Sequence, residues 1–171
     1  MGPFLVAAIY KFVHLPDFKN LQQGIFSECQ NHGVNGTLLL ASEGINGTIS
    51  GSKEGIHSVL DFLKKDPRFA DLEAKFSEAI TSPFYRMKVR LKKEIVTMGV
   101  PGLDPTRTVG TYVDPKDWNQ LIDDPDVLVV DTRNDYEVAI GTFEGAKNPD
   151  LKSFSEFPDW LREEMKTRQQ P

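Results

Sequence analysis

The chain has 171 residues, with 20 Lys+Arg against 25 Asp+Glu, 39% hydrophobic and 26% charged residues, a composition that builds a packed core and excludes disorder. A single cysteine excludes an internal disulfide and fits a reducing compartment. The longest apolar run, Phe4 to Tyr10, is too short to span a bilayer and lacks the basic flank of a secretion signal, so a soluble cytoplasmic protein with no membrane partner is expected.

The first elements alternate strand and helix. Phe4 to Val13 is apolar and β-branched enough for a central strand. After Pro16, the residues Phe18, Leu21, Ile25, Phe26 and Cys29 recur at helical spacing, and Gly33 supplies a stop. Gly36 to Ala41 reads as a strand, Asn46-Gly47 as a turn, and Thr48 to Ser50 as a short strand. Ser52 caps a second helix that buries Ile56, Val59, Leu60 and Leu63. Leu72 to Phe76 and Arg86 to Met98 are further strands. The order β-α-β-β-α-β is the ferredoxin-like, split βαβ arrangement. Asn35-Gly36-Thr37 and Asn46-Gly47-Thr48 are formal glycosylation sequons, read here as turn chemistry.

Charge then shifts. Residues 1–110 carry a net +2 and residues 111–171 a net −7, and the change falls in the turn-rich stretch Val100 to Arg107. Asp114-Pro115 opens a helix with Trp118, Leu121 and Ile122 on its apolar face. Val127 to Val130 suits a parallel strand buried on both faces. Asn134 to Ile140 is helical with Gly141 as its stop, and a last helix lies near Glu156 to Lys166.

Three places carry candidate chemistry. Alternation along Arg86, Lys88, Arg90 and Lys92 puts four cations on one strand face, each about 6.6–6.8 Å from the next, with Met87, Val89 and Leu91 on the other. Such a stripe either tracks a nucleic-acid backbone or is the solvated face of an amphipathic strand. The loop from Ser42 through Gly44, Asn46 and Gly47 to Thr48 lets backbone N–H groups approach an anion, or simply connects two strands; its glycine spacing is neither a Walker nor a dinucleotide fingerprint. Asp131 and Arg133 sit where a parallel strand meets its following loop, the usual address of an α/β site and equally suited to a structural Asp–Arg cap. The histidines at 14, 32 and 57 and Cys29 make no ligand set, so no metal is expected. Acylphosphatase chemistry needs an arginine in the loop after the first strand, and His14 to Asn20 contains none.

The run from Val127 to Ala146 resembles the opening segment of rhodanese domains: an apolar strand, Asp-x-Arg, a short helix, and Gly141-Thr142-Phe143-Glu144-Gly145-Ala146 where the usual run is Gly-His-Ile-Pro-Gly-Ala. Ser42 to Thr48 and Arg86 to Arg90 are similar to signatures of the rhodanese-like tRNA uridine hydroxylases, and the likeness covers nearly the whole chain in the same order. The resemblance implies oxygen-dependent hydroxylation at C5 of the wobble uridine, with tRNA as partner rather than DNA, molecular oxygen as co-substrate and no other evident cofactor. It implies a catalytic cysteine in a loop beyond Pro171, with Arg133 and Glu137 ordering the domain beside it.

The expected fold class is therefore α+β passing into α/β. A ferredoxin-like, acylphosphatase-like domain occupies 1–100, a linker 101–113, and the first part of a rhodanese-like domain 114–171. The chain taken alone is expected to be inactive, since it has no cysteine after Cys29 and no histidine after His57. Two other readings stand beside the hydroxylase: a sulfurtransferase working through a cysteine persulfide, and a non-catalytic RNA- or protein-binding module.

Overall fold

The structure, a computed structural model, describes residues 3–96, 99–100 and 110–168, which divide into two units, 3–96 and 99–100 with 110–168. Most of the expected linker, residues 101–109, lies outside the described residues.

In the first unit, β1 (Phe4–Phe12), α1 (Phe18–Asn31), β2 (Asn35–Ala41), β3 (Gly44–Gly51), α2 (Lys53–Lys64) and β4 (Ala74–Ala79) follow the β-α-β-β-α-β order, and β5 (Met87–Leu91) is added to it. The sheet order is β4-β1-β3-β2-β5, antiparallel except where β5 runs parallel to β2. This is the ferredoxin-like, acylphosphatase-like architecture in its five-stranded form. Alternation explains why both helices pack on one face. Ala7 and Ile9 of β1, Leu38 and Leu40 of β2, and Ile45 and Ile49 of β3 all point to the helices. There they meet Ile25 and Cys29 of α1 and Ile56, Val59, Leu60 and Leu63 of α2. Ser52 caps α2 by accepting from Gly55 N at 3.0 Å. Arg68 joins Asp17, ahead of α1, to Asp66, and these hydrogen bonds hold both carboxyls below their usual range.

Three expectations about this unit are corrected. Ala41 pairs with Gly44, so the hairpin turn is Ser42-Glu43, and Asn46-Gly47 lies inside β3. Gly47 has φ +156°, and a Cβ there would lie 2.0 Å from the Thr37 carbonyl oxygen; glycine serves strand contact, not a turn. The fourth strand begins at Ala74 rather than Leu72. Leu72 is buried within the preceding turn, where its N–H donates to Phe69 O at 2.9 Å. The fifth strand ends at Leu91 because Ile95 is drawn off the ladder: its N–H donates to Glu43 Oε1 at 2.6 Å, and its carbonyl accepts from Asn46 Nδ2 at 3.1 Å.

The second unit contains α3 (Pro115–Ile122), α4 (Asp135–Ile140) and α5 (Phe157–Arg168). Asp114 accepts from Lys116 N at 3.1 Å, with Pro115 at the first helical position. Val127 to Val130 is not the doubly covered strand expected. Its residues are half-buried, and its ladder is one parallel bridge, Val130 with Lys147. A parallel strand needs neighbours on both edges to bury such a run, and the described residues offer only that bridge. No apolar side chain among the described residues of this unit is fully buried. Rings do pack: Trp118 on Phe143 at 5.2 Å, Phe154 on Phe157 at 5.6 Å, and Phe157 on Trp160 at 5.9 Å.

Candidate functional site

The cation stripe lies on the strand that borders the sheet. Met87 and Val89 face the core, as alternation requires, which turns Lys88 and Arg90 to the opposite side. Arg86 stands one residue ahead of β5, and its carbonyl accepts from Gly36 N at 3.2 Å, keeping it in line with the strand. Lys92 follows β5, with its N–H donating to Leu40 O at 2.8 Å. Arg86, Arg90 and Lys92 are exposed and Lys88 half-buried. Beside them runs a groove of about 540 Å³, bounded across α1 by Gln22, Gln23 and Phe26. Gln22 fixes that border, since its Nε2 donates to Val89 O at 2.7 Å.

Elsewhere in this unit Lys11 pairs with Asp71, and Arg68 with two carboxylates. Among the described residues none of the four stripe cations has an ion-pair partner. Lys88 and Arg90 thus leave one face of β5, with Arg86 and Lys92 just before and after it.

The segment Ser42 to Thr48 has a different geometry from a phosphate loop. Gly44, Asn46 and Gly47 belong to β3, a central strand paired with β1 on one side and β2 on the other. The carbonyls of Ser42 and Glu43 accept from Leu15 N at 2.8 Å and Val13 N at 2.9 Å. The anion-cradle reading is thereby left without its loop.

Asp131 and Arg133 do meet. Arg133 donates through Nε to Asp131 Oδ1 at 2.9 Å and through Nη2 to Oδ2 at 2.5 Å, and Nη2 also reaches Gly141 O at 2.7 Å. Thr142 Oγ1 donates to Asp131 Oδ2 at 2.7 Å. Sequence reasoning misses Thr142 as a site residue, although a signal exists: it stands where the rhodanese run has histidine. Glu137 lies apart from this knot, accepting from Asn134 N at 3.2 Å at the start of α4. The arginine first and the threonine second hold the Asp131 carboxyl well below the usual carboxylate range, although the side chain is buried. Its folded-state pKa is depressed, so its stabilisation is fully present above the unfolded value near 4 and disappears as pH falls through the folded one. Asp131→Asn is expected to lower the melting temperature of the second unit at pH 7, with a difference that narrows as pH falls below about 4. Melting curves at neutral and acid pH check this, and a difference independent of pH would contradict it.

Cys29 is buried on α1, and burial pushes its thiol up to about 12. It is a protonated core group at neutral pH and a poor nucleophile. Among the described residues no three His, Cys, Asp or Glu side chains gather to hold a metal ion, and no helix is long and apolar enough to cross a membrane.

Residues 4–95 match the UPF0176 acylphosphatase-like domain. The chain belongs to the UPF0176 family. The UPF0176 chain is 61% identical over 171 residues to a protein of Acaryochloris marina named tRNA uridine(34) hydroxylase, covering 100% of this chain and 55% of the relative. A protein of the same name from Agrobacterium fabrum is 59% identical over 161 residues, covering 94% of this chain and 51% of the relative. The chain thus spans about half the length of the curated relatives it matches. Among solved structures, an acylphosphatase from Coxiella burnetii is 10% identical with a TM-score of 0.37, over 52% of this chain and 92% of that chain.

Proposed function

We propose that this chain is the tRNA-holding part of an enzyme that hydroxylates uridine 34 of tRNA, at C5, with molecular oxygen as co-substrate. Identity near 60% along the whole chain to relatives bearing that activity in their name carries the proposal. The stripe of Arg86, Lys88, Arg90 and Lys92 gives the chain a physical means of holding the substrate. The second unit is read as the start of a rhodanese-like domain in which the Asp131–Arg133–Thr142 knot fixes the turn before and after α4. Its reacting thiol would come from the part of the relatives that this chain does not span.

Two measurements test this reading. Mass spectrometry of tRNA from cells lacking the gene should show loss of 5-hydroxyuridine-derived nucleosides. Loss of thiolated bases would instead select the sulfurtransferase, and unchanged tRNA the non-catalytic module. In vitro, replacing Arg86, Lys88 and Arg90 together with Gln should weaken tRNA binding across sequences, because cations that meet phosphates position the ligand without reading bases. Each phosphate left without its cation lowers the slope of log affinity against log salt by roughly 0.7–0.9. An unchanged slope in a folded triple variant would reduce the stripe to solvated surface.

A further inference from the structure

We propose that Glu43 and Asn46 form a clamp that positions the cation-bearing strand for RNA, keeping its last cation, Lys92, in line with Arg86, Lys88 and Arg90. The proposal rests on the tRNA reading above and deepens it by naming residues that act through the stripe without touching the ligand. It also gives a task to the segment Ser42 to Thr48, which forms no anion loop. β5 borders the sheet and pairs on one side alone, with β2. A border strand of five residues frays from its ends unless both are tied. The start is tied where Gly36 N donates to Arg86 O at 3.2 Å, and the middle where Gln22 Nε2 donates to Val89 O at 2.7 Å. At the far end the last bond to β2 runs from Lys92 N to Leu40 O, at 2.8 Å.

Beyond that bond the chain turns back over the sheet, and Ile95 is caught there. Its N–H donates to Glu43 Oε1 at 2.6 Å, and its carbonyl accepts from Asn46 Nδ2 at 3.1 Å. Two side chains thus take both main-chain groups of one buried residue. The jaws of the clamp come from well-held parts of the fold. Asn46 lies in β3, which pairs with β1 on one side and β2 on the other. Glu43 stands in the β2–β3 turn, where its own carbonyl accepts from Val13 N at 2.9 Å. Three residue steps reach at most about 11 Å, so Lys92 is pinned between its bond to Leu40 and the clamp. Its side chain remains exposed. A carboxylate repels a phosphate but accepts strongly from a main-chain N–H, which suits Glu43 to holding the strand rather than the ligand.

Amide hydrogen exchange of the 171-residue chain, and its binding to a labelled tRNA transcript at several salt concentrations, test the proposal. With Glu43→Ala and Asn46→Ala combined, the Lys92 amide should exchange roughly tenfold faster while the amides of β1 keep their protection. Glu43→Gln removes the same charge but keeps an accepting oxygen, so it should exchange like the parent. The alanine pair should lower the slope of log affinity against log salt by roughly 0.7–0.9, one phosphate contact, and Glu43→Gln should not. Lys92→Gln should cause that loss in the Glu43→Gln background and no further loss in the alanine pair, because a cation out of line has no contact to lose. Circular dichroism melts establish that each variant is folded, and Glu43→Ala alone replaces the pair if the pair does not fold. Unchanged Lys92 exchange in the folded variant, or additive losses with Lys92→Gln, would overturn the clamp. The stripe reading survives that result as long as the Arg86, Lys88 and Arg90 triple variant binds tRNA more weakly than the parent. If the triple variant binds like the parent, the tRNA-holding reading falls and the clamp's task falls with it.

Discussion

Gly47→Ala should abolish the native sheet of the first unit, at a cost of more than about 4 kcal/mol. The added Cβ would sit 2.0 Å from Thr37 O and 2.9 Å from Leu38 Cα, both backbone atoms of the neighbouring strand that cannot swing aside. The φ of +156° adds a conformation that an L residue avoids. Gly33→Ala is the informative contrast. Gly33 also has positive φ, +63°, but nothing lies within 4 Å of its Cβ position, so only the left-handed backbone cost of roughly 1–2 kcal/mol applies. Urea titrations of the two variants should therefore differ widely, and similar midpoints would show that the neighbouring strand yields.

Met87→Asp is expected to destabilise the same unit by roughly 3–5 kcal/mol, the scale of an uncompensated buried charge. Met87 is 5% exposed within the core cluster, so the carboxyl would lose hydration without gaining a partner. Burial raises the folded-state pKa of the new carboxyl above the unfolded value near 4. The destabilisation is therefore full above the folded pKa and shrinks as pH falls below it. Met87→Leu, with similar volume and no charge, should cost less than about 1.5 kcal/mol. The neighbouring Arg86, Lys88 and Arg90 point the other way, so their replacement should alter RNA binding and leave the melting curve nearly unchanged. A Met87→Asp variant as stable as the parent at pH 7 would contradict the assigned strand faces.

The first unit is legible in the sequence because its elements obey the two simple periods. The apolar residues of α2 recur at helical spacing, and all four expected core positions are buried. The alternation of β5 likewise predicts that Met87 and Val89 face inward, while Leu91 at the strand end is 37% exposed. What misleads is local chemistry with two meanings. Asn-Gly usually makes a tight turn, and nothing nearby in sequence shows that Gly47 is required by a strand crossing beside it. Leu72 looks like strand because it is core, yet a buried residue in a turn has the same composition. Val127 to Val130 departs for a different reason: apolar character reports demand for burial, and pairing partners decide whether that demand is met. At the candidate site, residue types and spacing reveal the stripe and the Asp131–Arg133 pair. The groove wall at Gln22, the Thr142 hydroxyl and the clamp on Ile95 depend on neighbours distant in sequence.

The parallel pairing of β5 with β2 bears on the order in which the molecule assembles. Gly36 to Leu40 must find Met87 to Leu91 across an intervening hairpin, helix and strand, and β1 must find β4 across a still longer stretch, so both pairings close after the local β2–β3 hairpin. The strand that presents the cations therefore docks onto a hairpin already formed. Met87 and Val89 belong to the core cluster, so the docking that brings Lys88 and Arg90 into register is the same event that seals the core over β2.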